Sequence, residues 1–369
     1  MSDSTEGPQL EISGDLPGHA QVTRPFHIAV VGATGAVGRE TLSILAERRF
    51  PVATIRALAS ERSVGEKVPY GEDELEVEEA TPESFQGVEL AFFAAGGSVS
   101  KALIPAATQA GAVVIDKSSL HRMDPGVPLV VPEVNGGALA AYENQRLIAT
   151  PNCSTIQLVQ ILGPLHRHAG LKRVIVSTYQ AVSGAGKAGI DELEHQVRDL
   201  FNMRDVRSTD VFGERIAFNA LPCIPRGGML ESGASQEEQK MVDETRKILG
   251  LPDLRIGVTC VRIPVFNSHS EAVHLEFEKE ISPAQAREIL AAEPNVLVVD
   301  EPAKDLFPTP AQAAGQDHTL VGRIRKDEAS ENGLALWVVS DNLRTGAALN
   351  AVRIAERLCA EYLAQETSA

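Results

Sequence analysis

The sequence has few aromatic residues, four cysteines and no long apolar run in its 369 residues. No segment approaches the roughly 20 apolar residues that a membrane-spanning helix needs. The N-terminal stretch also lacks the basic start and apolar core of a signal peptide, since several acids precede the first Lys or Arg, Arg24. We therefore expect a cytoplasmic protein without a membrane segment.

The cysteines are too scattered for a disulfide framework or a thiolate metal site. Cys153, Cys223, Cys260 and Cys359 form no C-x-x-C pair, which suits a reducing compartment. For the last three, the expected state is a buried, unreactive thiol. We expect no metal in this protein.

Positive charge is also scarce, because 34 Lys and Arg residues face 50 Asp and Glu residues and leave a formal net charge of −16. This balance excludes a general attraction to nucleic acid or to an anionic membrane. A site for an anionic ligand must therefore have a local excess of positive charge.

The chain length indicates about two domains. Residues 1–24 combine Gly, Pro, Ser and acids without apolar periodicity and are expected to form a flexible acidic tail. The elements predicted next are strand 26–32, helix 37–47, strands 54–59 and 90–95, helix 98–110 and strand 113–116. Strands that alternate with helices predict a Rossmann-type, doubly wound α/β domain with a parallel sheet.

The pattern changes after Pro151, where strands follow one another without alternating helices. The predicted elements are a helix from 154, strand 173–179, helices 190–201 and 236–249, strands 257–262, 273–278 and 336–339, and a last helix 347–363. These indicate an α+β domain with one sheet face free to pair with a second copy, and hence a homodimer. We expect a dinucleotide-binding domain over 25–152 plus 343–369, and a catalytic and dimerisation domain over 153–342.

A glycine-rich turn joins the first strand to the first helix, where residues 32–38 read Gly-Ala-Thr-Gly-Ala-Val-Gly. Small residues there let the backbone approach a pyrophosphate placed at the helix N-terminus. A tight structural turn is the alternative, but the position inside a β-α-β unit favours a nucleotide site. The candidate cofactor-binding residues of this turn are Gly32, Thr34, Gly35, Ala36, Val37 and Gly38.

The end of the second strand bears on the choice of cofactor. Glu61 could bind a ribose 2′-hydroxyl, as in NAD-specific sites. Arg62 and Ser63 offer donors that suit a 2′-phosphate, and this favours NADP. An ordinary solvated charge at Arg62 is the alternative.

Cys153 lies in the first turn of a predicted apolar helix, directly after Pro151 and Asn152. Free backbone N–H groups and the positive end of the helix dipole favour a thiolate there, and they could also hold an oxyanion. We therefore expect the pKa of Cys153 to lie below the ordinary thiol value of about 8.5. Cys153 is the candidate nucleophile.

Six ordered motifs carry a resemblance to a known family. They are the glycine-rich turn, Ser-Ser-Leu-His-Arg-Met at 118–123, Pro-Glu-Val-Asn at 132–135, Pro-Asn-Cys-Ser-Thr at 151–155, Tyr-Gln-Ala-Val-Ser-Gly at 179–184 and Ser-Asp-Asn-Leu-Arg at 340–344. Over about residues 26–362 the chain resembles aspartate-semialdehyde dehydrogenase. The resemblance implies an NADP-dependent conversion of L-aspartyl 4-phosphate to L-aspartate 4-semialdehyde and orthophosphate, through a cysteine thioester. It places this step in the biosynthesis of lysine, threonine and methionine.

The resemblance also implies roles for individual residues. Cys153 corresponds to the acyl-thioester cysteine, Gln180 to a residue that orients the substrate, and His269 to the acid/base, for which a reference pKa near 6.5 is suitable. The implied substrate-binding residues are Arg122 and Lys240 for phosphate, Glu237 for the ammonium, Arg262 for the carboxylate, and Asn152. Ser183, Gly184 and Asn342 match cofactor contacts. For Arg262 a structural ion pair is the alternative, and for Arg122 and Lys240 it is plain solvated charge.

Two rival functions remain at this point. N-acetyl-gamma-glutamyl-phosphate reductase shares the fold and chemistry but typically has Pro-Gly-Cys where this chain has Pro-Asn-Cys at 151–153. A catalytically silent NADP-binding regulator is the second rival. The chain also departs from the family at Lys117, where Asn is more common, and at His121, where an aromatic residue is usual. Both positions are close to Arg122 and can change the phosphate subsite.

Overall fold

The computed structural model of the protein describes residues 22–225 and 227–363, in which two sheets are covered by helices. Most of the predicted flexible tail, residues 1–21, lies outside the described residues. The first sheet is built from the N-terminal part of the chain, and the second from residues beyond 170.

The first sheet is mainly parallel. Its strands are β1 (Phe26–Val31), β2 (Val52–Ala59), β3 (Lys67–Tyr70), β4 (Asp73–Glu79), β5 (Leu90–Phe93), β6 (Val113–Asp116) and β7 (Leu147–Ala149). Their order is β3-β4-β2-β1-β5-β6-β7, and every neighbouring pair is parallel except β3 and β4.

Helices cover both faces of this sheet. In chain order the α-helices are α1 (Ala36–Glu47), α2 (Gly97–Gln109), α3 (Pro132–Asn135), α4 (Cys153–Ala169), α5 (Gly186–Phe201), α6 (Gln236–Leu249), α7 (Pro283–Ala291), α8 (Pro310–Ala313) and α9 (Leu349–Leu358). Apolar residues of α1 and α9 pack on one face, and those of α2 and α4 pack on the other. Strand β1 is accordingly buried at every residue except His27, as expected of a strand covered on both faces.

The second sheet is mixed, with helices on one face and residues 299–313 packed on part of the other. Its strands are β8 (Leu171–Gln180), β9 (Arg255–Arg262), β10 (His269–Phe277), β11 (Val296–Val298), β12 (Thr319–Lys326) and β13 (Gly333–Ser340), in the order β11-β12-β13-β10-β8-β9. The buried side of β8 and β10 packs against α4, α6 and α7. On the other face Ile175 and Tyr179 are exposed, and the ring of Tyr179 lies 5.3 Å from that of Trp337.

The structure confirms the predicted fold class, a doubly wound α/β part followed by an α+β part. Helix α6 has the predicted bounds of 236–249. The predicted helix 347–363 is α9 with a π-helical turn on either side, Arg344–Ala348 and Cys359–Leu363.

Several elements were not predicted, among them β3, β4, β7, β11, β12 and α7. In β4 only Val77 is buried and most of the other residues are acidic and exposed, so the strand lacks the apolar alternation that marks a half-buried strand. Pairing with β2 and β3 forms this strand, and single-sequence patterning does not detect such pairing.

Candidate active site

The turn that precedes α4 fixes the position of Cys153, the first residue of that helix. Asn152 caps the helix, because its Oδ1 accepts a hydrogen bond from the Ser154 N–H at 3.0 Å. Its Nδ2 donates to Glu237 Oε1 at 2.8 Å, and its backbone N–H donates to Glu244 Oε2 at 2.6 Å. Three hydrogen bonds therefore hold the residue next to the sulfur.

Cys153 lines a cavity of about 580 Å³ in which most of the predicted site residues meet. The predicted residues that share this cavity with Cys153 are Gly35, Ala36, Val37, Arg122, Asn152, Gln180, Ser183, Gly184, Glu237, Lys240, Arg262 and Asn342. The glycine-rich turn after β1 and the ends of β8 and β9 thus face the same space.

A second cavity, of about 620 Å³, adjoins the first at Gly35. Gly32, Thr34 and Arg62 line it, and Arg62 lies in a 3₁₀ turn after β2. Ser63 is buried and lines neither cavity, so the structure does not place it with the other predicted cofactor residues.

Two glycines of the turn are required by close contacts. Gly32 has a φ of +83°, and an added Cβ would lie 3.1 Å from the backbone of Ala94. Gly38 lines neither cavity, and a Cβ there would lie 2.1 Å from the Gly32 carbonyl oxygen. Gly38 therefore lets α1 approach the turn.

The pKa of Cys153 differs from the prediction. Burial, and then the negative charge of Glu237, raise the pKa of this thiol to about 11, while Lys117, Arg262 and Arg122 lower it by less. The expected pKa below the ordinary value is therefore wrong, because loss of water around the sulfur outweighs the nearby positive charges. At neutral pH the sulfur carries its proton and must lose it when substrate is present.

His269 lies on β10 and is fully buried behind the wall of the first cavity. Its Nδ1 accepts a hydrogen bond from the Ala181 N–H at 3.0 Å, so the neutral ring carries its proton on Nε2. Burial, followed by the charge of Arg262, lowers the pKa of His269 well below its ordinary value. A Cβ added to Gly184, which lines the cavity, would lie 3.4 Å from His269 Nε2.

Glu237 is the carboxylate at the centre of the site. It accepts hydrogen bonds from Asn152, from Gln180 Nε2 at 3.4 Å and from Lys240 Nζ at 3.3 Å. Burial disfavours its charge, but Lys240, the Asn152 hydrogen bond and Arg262 together lower the pKa of Glu237. It is therefore ionised at neutral pH.

The two predicted phosphate ligands have carboxylate partners. Arg122 Nη1 donates to Glu244 Oε1 at 2.8 Å and Nη2 donates to the Lys117 carbonyl at 2.7 Å, while Lys240 pairs with Glu237. Arg262 is different, since its Nη1 donates to the Ala181 carbonyl at 2.6 Å and it forms no ion pair with the residues described.

Ser183 and Asn342 also lie together, because Ser183 Oγ donates to Asn342 Oδ1 at 3.0 Å.

Sequence reasoning missed Glu244, which accepts hydrogen bonds from both Arg122 and the Asn152 N–H. The sequence signal that could have identified Glu244 is its spacing, because it lies seven residues after Glu237 and therefore on the same face of α6.

Within residues 22–225 and 227–363, no group of three or more His, Cys, Asp or Glu side chains is arranged to hold a metal ion. In the same ranges no helix is both long and apolar enough to cross a membrane.

Comparisons with known proteins agree with this geometry. Residues 27–142 match the family model "Semialdehyde dehydrogenase, NAD binding domain", and residues 162–345 match "Semialdehyde dehydrogenase, dimerisation domain". The fold and the site thus define a semialdehyde dehydrogenase.

Relatives identify the particular family. The chain is 50% identical to the aspartate-semialdehyde dehydrogenase of Aquifex aeolicus, over 92% of this chain and 99% of the relative. It is 48% identical to that of Bacillus subtilis, over 91% of this chain and 98% of the relative. The crystal structure of aspartate semialdehyde dehydrogenase II from Vibrio cholerae, complexed with ASA, superposes with a TM-score of 0.89 at 44% identity, covering 92% of this chain and 100% of that one. The chain belongs to the aspartate-semialdehyde dehydrogenase family.

A more distant structure bears on the cofactor. The enzyme from Candida albicans, solved with NADP, superposes with a TM-score of 0.72 at 26% identity, covering 91% of this chain and 99% of that one. The NADP bound in that structure supports NADP as the cofactor of the family.

Proposed function

We propose that the protein catalyses the reversible, NADP-dependent reductive dephosphorylation of L-aspartyl 4-phosphate to L-aspartate 4-semialdehyde. The observation that carries this proposal is the position of Cys153 in one cavity with Gln180 and Arg262, directly beside the glycine-rich turn. Membership of the family supports the same substrate, and we assign the product to the biosynthesis of lysine, threonine and methionine.

The cavities suit NADP. The close approach of backbone at Gly32, where a side chain would clash, matches a pyrophosphate cradle, and Arg62 in the adjoining cavity forms no ion pair with the described residues. Thr34, Gly35 and Arg62 would hold the phosphates and ribose, and Ser183 and Asn342 would hold the nicotinamide end. When bound, NADPH supplies the hydride.

Cys153 performs the acyl transfer. Its sulfur bonds to the acyl carbon of aspartyl phosphate as the carbon–oxygen bond to phosphate breaks, and the thiol proton leaves with phosphate as HPO₄²⁻. This yields a thioester and splits the conversion into acyl transfer and reduction. After the hydride and a proton have been added, the carbon–sulfur bond breaks and the aldehyde is released with Cys153 restored.

His269 acts on the acyl oxygen in this scheme. Because its Nδ1 accepts from the Ala181 N–H, its Nε2–H is a hydrogen-bond donor, which suits the negative charge that develops on the oxygen. Acceptance of the thiol proton at Nε2 would require the other tautomer and the loss of the Ala181 hydrogen bond. The donor role is therefore the one that the geometry supports.

The remaining residues orient the substrate. The planar fork of Arg262 binds the substrate carboxylate, Glu237 binds its ammonium, and Gln180 holds the acyl group beside the sulfur. Arg122 and Lys240 bind the phosphate, with their charges shared between it and their carboxylate partners.

We further propose that the protein is a homodimer and acts in the cytoplasm. The exposed sheet face with Ile175 and Tyr179 supports the dimer, together with the match to a dimerisation domain. Four free cysteines suit a reducing compartment. The domain division into 25–152 plus 343–369 and 153–342 stays a proposal, supported by the packing of α9 on the first sheet.

The test is an assay of NADP reduction with L-aspartate 4-semialdehyde and phosphate, and in parallel with N-acetyl-L-glutamate 5-semialdehyde. We expect turnover of the first substrate and none of the second. Turnover of only the second would identify an N-acetyl-gamma-glutamyl-phosphate reductase, and turnover of neither, with NADP still bound, would indicate a silent regulator.

A further inference from the structure

Lys117 follows the end of β6, and its side chain lines the same cavity as Cys153. Its backbone N–H donates to the Phe93 carbonyl at 3.0 Å, and its own carbonyl accepts from Arg122 Nη2 at 2.7 Å. The backbone is thus fixed from both sides, which holds this lysine at the cavity wall.

The cations that line this cavity differ in whether they have a carboxylate partner. Arg122 pairs with Glu244 at 2.8 Å, and Lys240 pairs with Glu237 at 3.3 Å. The ammonium of Lys117, by contrast, has no ion pair or hydrogen bond with any residue in the described part of the chain.

The neighbouring carboxylate does not serve as its partner. Asp116 Oδ1 accepts from Ser100 Oγ and from the Ser118 N–H, both at 2.9 Å, and Asp116 Oδ2 accepts from Ser118 Oγ at 2.6 Å. These three hydrogen bonds use the carboxylate of Asp116. Because its ammonium lines the cavity and has no carboxylate partner among the described residues, Lys117 is available to an anion that appears there.

The sulfur of Cys153 provides such an anion. Burial lowers the pKa of Lys117 and raises that of Cys153, since each charged form loses water. Each group is the strongest influence that favours the charge of the other, ahead of Arg262 and Arg122 in the case of the thiol. An ammonium and a thiolate attract one another more strongly in such a cavity than in water.

We propose that Lys117 is the counter-ion of the Cys153 thiolate, a positioning residue that acts through the sulfur. This inference rests on the proposed function only in taking Cys153 as the nucleophile. The sulfur–hydrogen bond breaks, the proton passes to the phosphate oxygen of the substrate, and the negative charge left on sulfur faces the Lys117 ammonium. The other charged or titratable groups around the site are Glu237, Lys240 and Glu244 on α6, Lys187 on α5, Arg262 on β9, Arg122 and Asp116 near β6, and His269 on β10.

The test is the pH dependence of Cys153 alkylation by iodoacetamide in the full-length protein, followed by peptide mass spectrometry. In Lys117→Met we expect the apparent pKa of Cys153 to rise by about one unit, so that alkylation near neutral pH slows about ten-fold. Lys117→Arg should keep the wild-type profile. Lys101→Met, on the exposed side of α2, is the matched control and should leave the profile unchanged.

An unchanged profile in Lys117→Met would overturn the inference, even with a raised KM for phosphate, since Lys117 would then serve the phosphate alone. Lys117→Asn is a second variant for the case in which Lys117→Met does not fold, and the same shift is expected. Alkylation needs no substrate. A wild-type protein that fails to turn over aspartate semialdehyde therefore removes the proposed function and leaves this test intact.

Discussion

At the scale of single residues, Glu237 organises the surroundings of Cys153. Its carboxylate accepts hydrogen bonds from Asn152, Gln180 and Lys240. These donors keep Glu237 ionised in spite of burial, and Glu237 in turn keeps them oriented toward the cavity. Its negative charge also raises the pKa of Cys153, so the arrangement favours substrate orientation over a thiolate in the resting enzyme.

Arg62 is an exposed cation that lines the second cavity. In Arg62→Ala we expect the KM for NADP to rise about ten-fold or more, because a charge-assisted hydrogen bond to the 2′-phosphate is lost. The KM for NAD should change little. Steady-state kinetics with both cofactors is the measurement, with Lys67→Ala as a surface control. Equal weakening of both cofactors would show that Arg62 does not read the 2′-phosphate.

Glu271 is a fully buried acid on β10, two residues after His269 and on the same face of the strand. Neither carboxyl oxygen has a hydrogen-bond partner among the residues described. Burial raises its pKa well above the ordinary 4.5. The folded protein therefore keeps a proton that the unfolded chain releases.

This proton predicts a pH effect on stability. Above about pH 4.5 the folded state binds more protons than the unfolded state, so the free energy of unfolding falls as pH rises toward the folded pKa, by up to about 1.4 kcal/mol per pH unit. Glu271→Gln should remove this contribution. Urea unfolding from pH 5 to pH 8, at one protein concentration, measures it. Parallel pH profiles for the variant and the wild type would contradict the prediction.

At the scale of elements, the residue that caps α4 contributes both to the stability of the helix and to the geometry of the active site. Asn152→Ala removes the helix cap and the hydrogen bond to Glu237. We expect a loss of about 1–2 kcal/mol in the free energy of unfolding and a kcat lowered at least about ten-fold. Urea unfolding and kcat are the measurements.

The matched control is Ser282→Ala, which removes the cap of α7, where Ser282 Oγ accepts from the Gln285 N–H at 3.2 Å. It should lose similar stability and keep its kcat. An Asn152→Ala protein with wild-type kcat would show that the cap serves stability alone.

Features of these elements that depend on local sequence could be predicted, and features that depend on long-range packing could not. An apolar run after Asn152 was sufficient to predict α4 and the place of Cys153, because capping and periodicity are local properties. The pKa of the thiol was mispredicted, since burial depends on what α4 packs against. Glu244 was missed for the same reason, because its partner Arg122 is 122 residues away.

At the scale of the whole molecule, one face of the second sheet is exposed along β8, while residues 299–313 cover the same face at β12 and β13. Ile175 is 43% exposed in the middle of β8, where a second copy of the chain would bury it. We expect Ile175→Asp to shift the protein from dimer to monomer in sedimentation velocity, because a charge would be placed in an apolar interface. Val64→Asp, on the first domain, should leave the mass unchanged. A dimer that persists in Ile175→Asp would place the interface elsewhere.

In the proposed reaction, Cys153 carries the acyl group between phosphate and nicotinamide. The direct measurement is mass spectrometry of protein quenched in acid after incubation with L-aspartate 4-semialdehyde and NADP in the absence of phosphate. We expect an aspartyl adduct on the peptide that contains Cys153. We expect no adduct in Cys153→Ser, which should bind NADP but lose at least ~10³-fold in rate. An active wild-type protein without an adduct at Cys153 would show that Cys153 is not the acyl carrier.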